Sequence, residues 1–172
     1  MSERAAYPHG VPCWVDALVD DVDAARRFYA GVFGWEFDGP APMSGNPDGA
    51  YYVARVRGRD VAGVASLPRG RPQAGHMTHV RVDSADEAAR KAEAAGGHVL
   101  APPFDAPPAG RMAVIQDPVG AQFAAWEASA REGAELVNEP GAWSMSVLHT
   151  ADPEAAIPFY AEVFGWNAEP AG

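Results

Sequence analysis

Residues 21–35 read DVDAARRFYAGVFGW, and residues 152–166 read DPEAAIPFYAEVFGW. They are one motif used twice at a shift of 131 residues: Asp21, Phe28, Tyr29, Phe33, Gly34 and Trp35 return as Asp152, Phe159, Tyr160, Phe164, Gly165 and Trp166. A leading Asp, apolar residues at helical spacing and a closing glycine describe a capped amphipathic helix. A fainter copy lies between them at a shift of 63, where Asp83, Asp86, Ala88 and Arg90 match Asp20, Asp23, Ala25 and Arg27. The chain is thus written from one unit used three times, which organises everything else in it.

The surroundings of each helix follow one plan. Residues 13–19 and 77–83 alternate as strands do, and helices are predicted over 22–33 and 85–95, stopping at Gly34 and at Gly96-Gly97. Three short strands come after each helix, near 35–38, 50–57 and 60–67, then near 98–101, 111–116 and 121–127, with hairpin turns at 57–60 and 117–120. The unit is βαβββ, and the fold class is α+β. The expected layout is a domain over 1–128, with units at about 10–67 and 76–128, a linker over 129–141 and an incomplete third βα unit over 142–172. In that third unit a strand is predicted over 143–149 and a helix over 152–165.

Composition narrows the function. The 172 residues suffice for one domain with a substantial core. A net charge of -10 repels phosphate backbones and anionic lipid, and the only basic cluster is Arg69 with Arg71 in a loop, so no nucleic-acid or membrane partner is expected. Cys13 is alone, which excludes a disulfide framework within the chain and any cluster of thiolate ligands. The first ten residues have no apolar run that could act as a signal, and no segment approaches the ~20 apolar residues of a membrane span; cytoplasmic residence is the expectation.

Paired βαβββ units, a helix ending in an FY-x₃-FGW segment and a DPxG turn at Asp117 to Gly120 resemble the vicinal-oxygen-chelate superfamily of glyoxalases, bleomycin resistance proteins and dioxygenases, in its tandem-unit form. The resemblance implies a cup-shaped, eight-stranded mixed sheet with helices outside and ligand inside. It also implies a divalent metal held by His, Gln or Glu from four strands. Carried over by spacing, those four positions fall on Trp14, on Gly63 or Val64, on Met77 and on Ala124. None of these suits the ions the family uses; Met77 offers a thioether, and Asp60 lies at the turn end of its strand. His76 and His79 bracket Met77, so a register slip would change this reading.

With the implied ligand positions facing inward, alternation puts Trp14, Asp16 and Leu18 inside and Val15, Ala17 and Val19 outside. Met77, His79 and Arg81 likewise face in, as do Gln122, Ala124 and Trp126. Asp16 and His79 are equivalent at the shift of 63, either as a polar pair that orients a ligand or works as an acid/base couple, or as a hydrogen-bonded seam. Trp14, Met77, Met112 and Trp126 line an apolar pocket or simply pack a core.

Two functional classes follow. The first is a metal-free binder of a small, partly aromatic molecule, without cofactor, using Trp14, Asp16, Met77, His79, Met112, Gln122 and Trp126. The second is an enzyme, either a lyase or dioxygenase with a metal, or a metal-free acid/base catalyst using Asp16 and His79. A weaker third is a module for subunit association. The apolar stripe Ala156, Phe159, Tyr160, Val163 and Phe164 must dock on the first domain or pair in a homodimer, with the dimer favoured; the chain also reads as a piece of a four-unit parent.

Overall fold

The computed structural model describes residues 2–44, 46–68 and 74–169; Arg69 and Arg71 lie outside them. Its elements are β1 (Pro12–Val19), α1 (Val22–Phe33), β2 (Glu36–Met43), β3 (Asn46–Val56), β4 (Arg59–Ser66), β5 (Gly75–Arg81), α2 (Ala85–Ala94), β6 (His98–Ala106), β7 (Gly110–Gln116), β8 (Gln122–Ala128) and α3 (Pro153–Phe164). Two βαβββ units followed by a helix are what the repeats require. The caps recur with the sequence: Asp21 accepts a hydrogen bond from Ala24 N at 2.8 Å, and Asp152 from Ala155 N at 3.0 Å. Gly34 and Gly165 close their helices in the left-handed conformation, with φ of 69° and 74°.

Three expectations need correction. β2 and β6 run well past 38 and 101, with register shifts between Asp38 and Ala41 that take Pro40 out of the ladder, and between Ala101 and Phe104 that do so for Pro102 and Pro103. The strand expected over 143–149 does not form, and residues 144–149 are exposed. A strand needs a paired neighbour, and none of β1 to β8 pairs with these residues.

The chain divides into two compact bodies. The first comprises Met1–Ala6, Cys13–Thr78 and Glu132–Met145. Its strands run in the order β2-β3-β4-β1, antiparallel except for the parallel β1–β4 pair that sets Asp16 beside Gly63. Ala54, Val61, Ala62 and Leu136 form a core, with Val15, Trp35, Phe37 and Val56 packed on it, so Val15 does face outward. The stretch read as a linker is integrated here: Ala134 and Leu136 are buried, and Ala134 N donates to Cys13 O at 2.8 Å. The Trp35 indole donates to Gly141 O at 2.6 Å.

The second body comprises Tyr7–Pro12, His79–Arg131 and Ser146–Gly172, with strand order β5-β8-β7-β6. Val80, Val82, Ala88, Ala89, Ala92, Ile115 and Phe123 make its core, and Phe159, Val163 and Phe164 of α3 complete it. The helix stripe is thus buried within the chain, which removes the reason given for a dimer through it. At the DPxG turn, Asp117 is 1% exposed; its Oδ1 accepts from Val119 N and Ala121 N, and its Oδ2 from the Tyr160 hydroxyl at 3.0 Å. Burial, with the carboxylate beside it, pushes the Tyr160 hydroxyl above the ordinary tyrosine range.

Candidate functional site

In the first body, the parity of β1 puts Trp14 and Asp16 on the face opposite Val15. The Trp14 indole N–H lies 2.8 Å from Asp16 Oδ1 and 2.9 Å from the Tyr51 oxygen, a shared donor, and the Tyr51 hydroxyl donates to the same carboxylate oxygen at 2.8 Å. Asp16 is 6% exposed, so these bonds offset the cost of burying a carboxylate. Gly63 lies beside it, and a Cβ there would collide with Asp16 Oδ1 and the Tyr51 hydroxyl. Of Gly63 and Val64, Gly63 is the one that faces this cluster. The sequence marks Tyr51 only as part of the strand over 50–57. The one signal for it was a glycine in the neighbouring strand, whose missing side chain leaves room for a bulky partner.

Gly63→Ala should therefore destabilise the protein by about 1–3 kcal/mol through overpacking. Urea unfolding measures this, and an unchanged midpoint would show that Asp16 and Tyr51 move aside freely.

In the second body, His79 and Trp126 meet edge to face with ring centroids 6.0 Å apart. Met112 is the cross-strand partner of Trp126, which places both on one face of the β7–β8 ladder, and by parity Gln122 and Ala124 share it. The Trp126 indole donates to Arg131 O at 2.9 Å. The structure thus brings Trp14 together with Asp16, and His79 with Trp126 and Met112; Asp16 and His79 belong to different bodies. Met77 is buried in the first. The remaining histidines have bland roles: His76 lies 3.4 Å from the Tyr29 hydroxyl, His9 accepts from Asp83 N, and His98 and His149 are exposed.

The residues at the implied metal positions do not fit a divalent ion. Trp14 is a donor only, its N–H already directed at Asp16 and Tyr51. Gly63 has no side chain, and the space one would enter holds an aspartate and a tyrosine. Ala124 offers no lone pair. Among the described residues no group of three or more His, Cys, Asp or Glu is placed to hold a metal.

The chain belongs to the Glyoxalase/Bleomycin resistance protein/Dioxygenase superfamily, whose family model matches residues 13–125. A Mycobacterium tuberculosis protein named as glyoxylase CFP32 is 40% identical over 169 residues, covering 96% of this chain and 64% of the relative. The anthracycline biosynthesis protein DnrV of Streptomyces peucetius is 36% identical over 174 residues, covering 92% of this chain and 62% of the relative. The chain therefore spans less than two thirds of the curated relatives it matches. Among solved structures, the Mn(II)-bound glyoxalase of Novosphingobium aromaticivorans superposes with a TM-score of 0.63 at 20% identity, covering 97% of this chain and 55% of that one. The methylmalonyl-CoA epimerase of Mycobacterium tuberculosis gives 0.54 at 16% identity, covering 73% and 93%. At these identities the likeness is one of fold. Among the described residues no helix is long and apolar enough to cross a membrane.

Proposed function

We propose that the protein binds a small, planar, partly aromatic molecule without the metal centre of its metal-dependent superfamily members. One observation carries this reading: where a ligand side chain would project from β4, Gly63 leaves its space to the Asp16 carboxylate and the Tyr51 hydroxyl. A polar cluster of that kind fixes the orientation of an organic ligand, with Trp14 and Met77 of the same body as its apolar neighbours; the second body, taken by itself, offers Trp126 and Met112 on one face. His79 and Gln122 add further polar groups on the second body's face. A net charge of -10 favours a neutral or cationic ligand over an anionic one. The Streptomyces relatives are named for anthracycline biosynthesis, which agrees with an aromatic ligand class.

A second reading, an enzyme with Asp16 and His79 as candidate acid/base groups, each in its own body, draws support from the glyoxylase name of the mycobacterial relatives and from the burial of both side chains. Calorimetric titration with a planar anthraquinone, with and without Mn(II), tests the first reading. Binding should be independent of Mn(II) and weakened at least about tenfold by Asp16→Asn or Trp14→Phe, corresponding to ~1.4 kcal/mol or more. A tightly held metal at one per chain, or equal binding by folded variants, would end it.

A further inference from the structure

The second body carries a groove of about 330 Å³ on the α2 side of its sheet, floored by Ala88 and Val163, which are 3% and 1% exposed. His9, Asp83, Ser84, Glu87 and Lys91 stand around that floor. Phe123 and Ala125 of β8 belong to the core beneath it, so alternation sends Trp126 and its partner Met112 to the opposite face. The groove and the Trp126 face thus lie on opposite sides of one sheet. The segment that carries His9 is held firmly: Gly10 N donates to Arg81 O at 2.7 Å, and Gly10 O accepts from the Trp166 indole at 2.6 Å, the counterpart of Trp35 on Gly141.

The internal repeat singles out the polar wall of this groove. Counted from the capping residues Asp21, Ser84 and Asp152, the third and seventh positions are Ala24 and Phe28 in α1 and Ala155 and Phe159 in α3, but Glu87 and Lys91 in α2. Lys91 is the one lysine among the 172 residues. Glu87 and Lys91 have the spacing of a helical ion pair, yet Glu87 pairs with Arg90 instead. Among the described residues, the Lys91 ammonium has no ion-pair partner.

Three side-chain donors line the groove. His9 Nδ1 accepts from Asp83 N at 3.2 Å, which leaves the ring proton on Nε2. Ser84 Oγ accepts from Glu87 N at 3.2 Å and keeps its hydroxyl proton to give. The third donor is the Lys91 ammonium. Amides at the helix start are already engaged, Ala85 N by Glu127 and Glu87 N by Ser84, so side chains rather than the helix end would do the recognising. Arg81, 3.4 Å from Asp83, and Arg90 beside Glu87 offset the two carboxylates, and Lys91 leaves the groove one positive charge. We propose that this groove binds a small monocarboxylate with a compact apolar body, its carboxylate held by Lys91, Ser84 and His9 and its body resting on Ala88 and Val163. A doubly charged phosphate would bring one charge more than Lys91 neutralises up against Asp83 and Glu87, and an organic cation would meet Lys91 itself.

The single lysine supplies the test. Reductive methylation with ¹³C-formaldehyde labels Lys91 and the amino terminus and keeps their charge, so one side-chain resonance reports the groove. At constant ionic strength, 4-fluorobenzoate should shift that resonance saturably, while benzylamine leaves it in place and inorganic phosphate moves it less. The ¹⁹F signal of the same probe gives its affinity for unlabelled variants. Lys91→Gln, and Lys91→Phe with the residue of the other two copies, should each weaken binding at least about tenfold, the loss expected with one charged hydrogen bond. A Lys91 resonance that follows ionic strength alone would overturn the proposal. Unchanged affinity in the folded Lys91→Gln protein would do so too, by placing the carboxylate elsewhere on the molecule, and a stronger response to phosphate than to the benzoate would overturn the ligand class.

Discussion

Phe159→Ala is expected to lower the unfolding free energy by about 3–5 kcal/mol, while Phe28→Ala changes it by less than about 0.5 kcal/mol. The two residues are copies of one another in sequence, but Phe159 is 2% exposed and meets Phe123 edge to face, whereas Phe28 is 62% exposed. Truncating the first removes buried area and opens a cavity that the small neighbours Ala88, Ala89 and Ala92 cannot fill. Truncating the second removes area that water already touches. Urea unfolding of the two variants side by side measures the contrast. Equal losses would mean that α1 is already covered in solution.

Asp117→Ala should cost about 2–5 kcal/mol, and Asp117→Asn considerably less. The carboxylate satisfies two backbone N–H groups of its own turn with one oxygen and the hydroxyl of Tyr160 with the other. Alanine leaves all three without that acceptor in a buried place. Asparagine keeps an acceptor for the turn and turns its amide towards the tyrosine oxygen. Because the same side chain shapes the β7–β8 hairpin and fastens α3, the alanine variant should loosen the helix as well. Hydrogen exchange should show faster amides in residues 153–164 of that variant, and exchange unchanged there would separate the two roles.

The helices were legible in the sequence because their signals are local: a capping Asp, a periodic stripe and a terminal glycine act within a dozen residues. The strands of both units were legible for the same reason, apart from the prolines of β2 and β6, which local rules read as stops and register shifts accommodate. Residues 143–149 failed for an instructive reason. Their alternation is that of a strand, but a strand exists only with a neighbour, and neighbours are not encoded in the segment itself. The same applies to the site. Trp14 and Asp16 were visible through alternation, whereas Tyr51 entered only through the pairing of β1 with β4 and of β4 with β3, a relation spanning 35 residues between Asp16 and Tyr51. Val15 on the outer face follows from parity, which was available from the start, whereas His79 beside Trp126 needed the adjacency of β5 and β8.

The two Trp-to-glycine anchors also bear on how the chain is made. Trp35 reaches a carbonyl 106 residues away and Trp166 one 156 residues away, and neither body is continuous in sequence. During synthesis the first body must wait for residues 132–145 to leave the ribosome, long after its strands have emerged. The second must keep Tyr7–Pro12 unclaimed until α3 has emerged. Closing such long loops is slow, and the interval exposes unpaired strands. Translation rate over residues 132–166, rather than over the strands themselves, should therefore govern the yield of folded protein in a cell.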